Sequence, residues 1–422
     1  VVEIIKADYI YTPKGFIKNK AVAFKDKILE INTLKNLQKK YPDANSFEAP
    51  KNSILYPGFI NTHIHLEFSA NKTTLKYGDF IDWLGSVIEN RESLLDRVSN
   101  QDMDLACNQM LESGVTTFGA VSSFGIDLEV CQKTPQKVVY FNEAIGSEPA
   151  MVDALFSDFL ARLEASKKDA RKYKITPAVE IHSPYSIHPI MTKRVIEIAK
   201  SENMPISAHF MESNYERVWL DKGEGRFLEF FAKYFKGEKS NKLVEIIAKY
   251  SNKIKPLTTA KEFLELFDKV EAMFVHWVYA TKEELNYIKS KNHSIAHCPR
   301  SNRLLGSKRL EIENIDTTLS VATDGLSSNY SLNIFDELRE ALMVHSNLPL
   351  RELANRLIKS ITSDAAEAIK SDAGRIEVGA PADFALIVLP DTPREEDLAL
   401  QTILHTKEVD SIWIDGVEIL LA

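Results

Sequence analysis

An alternation constrains this chain more than any single motif. Short apolar runs are interleaved with longer stretches of helical periodicity: Ile54 to Ile60, Val115 to Val121, Lys137 to Ala144, Ile175 to His182, Pro205 to Phe210, Ala272 to Trp277, His293 to Cys298 and Thr317 to Thr323. Apolar runs of this length suit strands buried on both faces, as in a parallel sheet covered by helices. Eight of them predict an α/β fold, a (β/α)8 TIM barrel over residues 55–371. A doubly wound open sheet is the structural alternative. No Gly-rich phosphate fingerprint follows any of the runs, which removes the usual reason to prefer it.

Both chain ends read as β structure. Val1 to Tyr11 and Ala21 to Ile31 alternate polar and apolar around the turn-forming Thr12-Pro13-Lys14-Gly15. Phe384 to Leu389 and Ser411 to Ile414 are strand-like, and Asp415-Gly416 is a hairpin signal. Neither end has enough residues to bury a core alone. We therefore expect residues 1–54 and 372–422 to form one small β-sandwich domain. The longest gap between strand candidates, about 215–270, holds the amphipathic patterns Arg226 to Tyr234 and Lys242 to Tyr250 and reads as a helical insertion. A lid over the barrel mouth and a plain elaboration of the helical ring are both open readings.

In such a barrel chemistry sits at the C-terminal ends of the strands. His63 and His65 end the first candidate strand, and side chains two apart on a strand share a face. His182 ends the fourth, His209 the fifth, His276 the sixth, His297 the seventh and Asp324 the eighth, with His188 just past the fourth. One such histidine is more simply a satisfied core residue. Several on one face favour a metal centre, and imidazole with carboxylate suits a single Zn or Fe ion with a position left for water. Asp324 is the candidate for both metal contact and base, and Glu212, three residues past His209, for carrying a proton to a leaving group. From spacing alone Glu212 is equally a surface residue at a loop start.

Composition narrows the partners. A net charge of −8 and a pI near 5.8 argue against a broad grip on nucleic acid or an anionic membrane. Cys107, Cys131 and Cys298 are too few and too scattered for a disulfide framework or a cysteine zinc cluster, which fits a reducing cytoplasm; Cys298 reads more readily as a buried thiol than as a ligand. The first residues contain no continuous apolar segment of the kind that marks a signal peptide, and no run is long enough for a membrane span.

The ordered set Pro57-Gly58-Phe59-Ile60-Asn61-Thr62-His63-Ile64-His65, His182-Ser183-Pro184-Tyr185, Ala208-His209-Phe210-Met211-Glu212, His297-Cys298-Pro299-Arg300-Ser301-Asn302 and Ala322-Thr323-Asp324-Gly325 resembles the amidohydrolase superfamily, in its mononuclear deaminase and chlorohydrolase branch. Gly374 to Asp383 looks like that family's return to its β-sandwich, so the resemblance spans nearly the whole chain. It implies metal ligands His63, His65, His209 and Asp324, with His276 hydrogen-bonded to the attacking water and Glu212 as proton shuttle. Where the binuclear branches carry a carboxylated lysine, this chain has Val179-Glu180-Ile181-His182, so one metal is implied. The separate cytidine-deaminase fold is excluded by the missing Cys-x-x-Cys.

The strings Phe68-Ser69-Ala70, Gly78 to Leu84 and Phe141-Asn142-Glu143 are similar to those of branch members that deaminate 6-amino-6-deoxyfutalosine, an adenine nucleoside derivative on the futalosine route to menaquinone. That likeness implies a small purine nucleoside substrate, with His182, Ser183, Glu212 and Trp83 in contact with it, and a homodimer. Helix packing is the alternative for Trp83. Within the branch, deaminases of S-adenosylhomocysteine, methylthioadenosine, adenosine or guanine and chlorohydrolases are alternatives. A noncatalytic metabolite-binding barrel is the alternative of another class, and its signature would be loss of a ligand or of Glu212.

Overall fold

The computed structural model describes residues 1–235 and 255–421. Eight parallel strands follow one another in chain order around a single sheet: β1 Phe59–Ile64, β2 Val115–Ser122, β3 Lys137–Ala144, β4 Ile175–Ile181, β5 Ile206–Phe210, β6 Met273–His276, β7 Ser294–His297 and β8 Leu319–Val321. Every β5, β6, β7 and β8 residue is buried, as parallel strands covered by helices require. Polar side chains close the ring between β1 and the end of β8. Thr62 Oγ1 lies 2.9 Å from Ser320 Oγ, Asn61 Nδ2 donates to Thr323 Oγ1 at 2.7 Å, and the Asp324 N–H donates to the His63 carbonyl at 3.1 Å. The expected barrel is therefore present.

The apolar run Ile54 to Ile60 divides. Ser53–Pro57 pairs antiparallel with Phe384–Val388 in a six-stranded sheet, whereas β1 begins at Phe59. Gly58 sits at the crossing because nothing larger fits: a Cβ there would lie 2.1 Å from Thr116 Oγ1. The run Val1 to Tyr11 also divides, into Glu3–Lys6 in a four-stranded sheet and Tyr9–Thr12 in the six-stranded one. Both chain ends supply strands to the six-stranded sheet, and Ile5, Val22 and Phe24 of the smaller sheet pack against Leu55, Phe384 and Trp413 of the larger. This is the β-sandwich. Asp415 and Gly416, at φ 50° and 74°, make the tight turn between Ser411–Ile414 and Val417–Ile419.

After β5 helix Asn214–Lys222 packs on helix Arg226–Phe235, and the latter lies against helix Phe80–Arg97, which follows β1. Arg226 pairs with Asp79 and Asp82, each at 2.7 Å, and the Tyr215 hydroxyl donates to Asp79 at 2.6 Å. Phe227 packs between Phe80 and Tyr185. The Lys242 to Tyr250 pattern lies outside the described residues. No helix among the described residues is long and apolar enough to cross a membrane.

Candidate metal centre and active site

The residues at the C-terminal ends of β1, β5, β6 and β8 meet in one place. The ligand nitrogens of His63, His65 and His209 all lie within 4.8 Å of one another, as do the ligand atoms of Glu212, His276 and Asp324. His63 and His65 Nε2 stand 3.2 Å apart, and Asp324 Oδ1 lies 3.8 Å from the first and 3.6 Å from the second. Alternation along β1 puts both imidazoles on one side, and ring closure brings Asp324 beside them. Burial pushes the His63 and His65 imidazoles below their ordinary range, so both present neutral lone pairs. Neutral nitrogens facing one another beside a carboxylate are a poor hydrogen-bond cluster and a good donor set for one divalent cation.

The surrounding contacts fix each ring. His209 Nδ1 donates to the His182 carbonyl at 2.8 Å and lies 3.1 Å from Glu180 Oε1, which leaves Nε2 for a metal. Burial alone lowers the His209 pKa, but the Glu180 carboxylate outweighs it and raises the group to about 10. His276 Nδ1 lies 2.9 Å from Asn302 Oδ1, so this nitrogen carries the proton and Nε2 is an acceptor, 3.4 Å from Glu212 Oε1 and 3.9 Å from Asp324 Oδ2. Asp324 accepts from the Gly325 N–H at 2.7 Å, Ser301 at 2.8 Å and Ser328 at 2.9 Å. Burial raises its pKa, but His63, His65, His276 and His209 together bring it below the usual carboxylate range. Burial also drives Glu212 well above that range, with Asp324 and Glu216 adding to the rise against the opposing pull of His209. The site thus sets a carboxyl held below the usual range beside one held above it, the opposed shifts that acid–base chemistry needs.

Strand ends carry strain here. Met211, His276, Trp277 and Asp324 take positive φ values of 56°, 73°, 58° and 59°, each costing on the order of 1 kcal/mol for a non-glycine residue. The turns are held by backbone bonds such as Trp277 N–H to the Phe210 carbonyl at 2.9 Å and Tyr279 N–H to the Met211 carbonyl at 2.9 Å.

The other expected contacts differ in placement. The His182 ring centroid is 5.3 Å from that of His209, with Nδ1 turned to Ser183 and Ser186 hydroxyls at 2.9 and 2.6 Å. Ser183 is buried and its Oγ is engaged with His182 and Ser186. Trp83 is half-buried on helix Phe80–Arg97 and donates its N–H to the Ser327 carbonyl at 2.9 Å, three residues past Asp324. Two of the expected histidines stand apart from the cluster: at the end of β7, His297 Nε2 faces His345 Nε2 at 3.0 Å, and His188 caps helix Pro189–Ser201 by accepting the Ile190 N–H. Cys107, Cys131 and Cys298 are all buried thiols.

Four supporting residues escaped sequence reasoning. Asn302 orients His276, Glu180 lies behind His209, and Glu143 is the penultimate residue of β3, 4.0 Å from His182. Glu67 accepts the Ser123 and Phe124 N–H groups at 2.8 and 2.9 Å, tying the loop after β2 to the segment that carries His65. Alternation was the available signal, since Glu180 is two residues before His182 and Glu67 two after His65.

A model of the amidohydrolase family matches residues 54–419. The aminodeoxyfutalosine deaminase of Nitratiruptor sp. is 46% identical over 417 residues, covering 98% of this chain and 98% of that one. The adenosine deaminase of Helicobacter pylori is 34% identical over 411 residues, 96% of this chain and 95% of that protein. Among solved structures, the crystal structure of Helicobacter pylori aminofutalosine deaminase in complex with methylthio-coformycin superposes with a TM-score of 0.90 at 34% identity, covering 99% of this chain and 100% of that one. Fold, clustered histidines and likeness along the whole length agree, and the chain belongs to the amidohydrolase family.

Proposed function

We propose that this chain is a metal-dependent hydrolase of carbon–nitrogen bonds that exchanges the amino group of an adenine ring for oxygen. Its substrate on this reading is 6-amino-6-deoxyfutalosine, converted to futalosine and ammonia on the way to menaquinone in the cytoplasm. The observation that carries the deaminase reading is Glu212, a buried carboxyl set 3.4 Å from His276 beside the donor cluster, whose pKa burial raises. The substrate assignment is supported by likeness along the whole chain to a relative named for that nucleoside.

His63, His65, His209 and Asp324 would hold one divalent ion, zinc or iron. When bound, such an ion acidifies water and so supplies a nucleophile at neutral pH. His276, with Nδ1 engaged by Asn302 and Nε2 free to accept, would orient the attacking water towards the amino-bearing ring carbon, and Asp324 would take one of its protons. Glu212 gives its proton to the adjacent ring nitrogen, which makes the carbon electrophilic. The proton on Asp324 passes to the amino group, ammonia leaves, and the remaining hydroxyl proton returns to Glu212 as the carbonyl forms. His182, its ring set by Ser183 and Ser186, meets the nucleoside, and Trp83 packs against the substrate. The homodimer expected by resemblance is read by light scattering.

A panel of 6-amino-6-deoxyfutalosine, methylthioadenosine, S-adenosylhomocysteine, adenosine, guanine and a chlorinated triazine, assayed for ammonia or chloride release, tests the reading. The highest kcat/KM is expected for the first. Turnover of methylthioadenosine with 6-amino-6-deoxyfutalosine inert would overturn the substrate, and release from none would favour a noncatalytic barrel.

A further inference from the structure

Helix Asn214–Lys222 opens with a capping-box sequence whose acid goes elsewhere. Ser213 caps it and accepts the Glu216 N–H at 3.2 Å, and an acid at that third position ordinarily bonds back to the N–H of the cap residue. Three other helices of this chain are closed in that way, through Ser99 with Asp102, Thr259 with Glu262 and Thr281 with Glu284. Glu216 instead reaches past Ser213 and accepts the N–H of Glu212 at 3.0 Å through Oε2. It is also only 1% exposed, and its Oε1 is buried without a hydrogen-bond partner. Burial pushes its pKa up to about 7, against the opposing pull of the Met211 and Glu212 N–H groups. Helix capping alone does not call for an acid buried at such cost.

The position of Glu212 supplies the reason. His209 and Glu212 are three residues apart, and along a strand such residues point to opposite faces. β5 stops at Phe210, and Met211 at φ 56° makes a left-handed turn that returns Glu212 to the side of His209 and His276. A non-glycine residue keeps that conformation only where its surroundings fix it. Here Glu212 is gripped through both backbone groups, since Glu216 takes its N–H and the Ser307 hydroxyl donates to its carbonyl at 2.6 Å. The Ser307 N–H donates in turn to the Asn302 carbonyl at 2.9 Å, and Asn302 is the partner of His276. Resting on the deaminase reading above, we infer that Glu216 is a positioning residue for the proton shuttle, fixing the turn that aims Glu212 at the substrate ring while Ser307 closes the clamp from the other side.

The test is steady-state kinetics with the nucleoside of highest kcat/KM in the panel above. Glu216→Gln, Glu216→Met and Ser307→Ala are each made in the wild-type protein and in Glu212→Gln, with metal content measured alongside. Glu216→Gln keeps an acceptor for the Glu212 N–H and should keep near wild-type kcat. Glu216→Met keeps the bulk without the acceptor. Misplacing a reacting group by an ångström costs about 100-fold, so its kcat should fall roughly 10- to 100-fold with KM and metal content unchanged. In Glu212→Gln there is no proton to aim, and the same substitution should cost almost nothing further. Equal losses in the two backgrounds mark a merely structural role and overturn the inference. So does a Glu216→Met protein with wild-type kcat or with metal lost, or a Glu216→Gln protein as impaired as Glu216→Met. If Glu216→Met does not fold, Ser307→Ala decides: a kcat loss in the wild-type background alone supports the clamp, and an equal effect or none in both overturns it. Absence of ammonia from every nucleoside with the wild type would instead reject the proposed function itself.

Discussion

Replacing Glu212 by glutamine removes one exchangeable proton and almost nothing else. The side chain is buried and close in size to glutamine, its oxygen sits 3.4 Å from His276 Nε2, and it is outside the set His63, His65, His209 and Asp324. Fold, metal content and purine binding should therefore persist in Glu212→Gln. A positioned acid is worth about 10²- to 10⁴-fold in rate. The neighbouring carboxyl of Glu216 already accepts the Glu212 backbone N–H at 3.0 Å, so it is poorly placed to substitute. That argues for the upper part of the range, a kcat loss of roughly 10³-fold or more, or about 4 kcal/mol at 1.36 kcal/mol per decade. The pH dependence has a definite sign. Burial raises the Glu212 pKa and the protonated form is the working one, so activity is present below that pKa and falls as pH rises through it. The alkaline limb should vanish from the residual rate of the variant. The assay is steady-state ammonia release across pH, with elemental analysis and inhibitor binding as controls. A variant with full metal content, near wild-type kcat and the same alkaline limb would refute the shuttle.

Three further outcomes follow from particular contacts. Asn302→Leu frees His276 Nδ1 from its 2.9 Å partner and should cost roughly 10- to 100-fold in kcat/KM, with KM little changed, as measured by steady-state kinetics. Metal binding to the apo protein should release about one proton at neutral pH, because His209, raised to about 10 beside Glu180, must give up its proton to become a ligand; calorimetry in buffers of different ionisation enthalpy reads that number, and affinity should rise with pH up to that pKa. Gly58→Ala sets a Cβ 2.1 Å from Thr116 Oγ1 and should cost about 1–3 kcal/mol of stability, seen as a lower Tm, while leaving the ligands in place.

What was legible in the sequence was whatever follows from periodicity. Barrel strands are buried on both faces, so they appear as continuous apolar runs, and a polar residue at the end of such a run is conspicuous. His63, His65, His209, His276 and Asp324 all stand out in this way, and they are the residues brought together. His297 stands out equally, but its ring is taken up by His345, a partner 48 residues away that no local pattern announces. The split of the Ile54 to Ile60 run at Gly58 was hidden for a related reason, since both halves are apolar and the crossing is dictated by Thr116 on another strand. Asn302, Glu180, Glu143 and Glu67 serve through tertiary contacts, and such contacts exist only once the ring has closed.

The most direct test is a crystal structure of the metal-loaded protein with a purine nucleoside inhibitor, with the ion located by anomalous scattering. The account predicts a single ion about 2.0–2.2 Å from His63, His65, His209 and Asp324. It also predicts the Glu212 carboxyl against the ring nitrogen beside the amino-bearing carbon. Two ions, an ion held by other residues, or a purine ring turned away from Glu212 would contradict it.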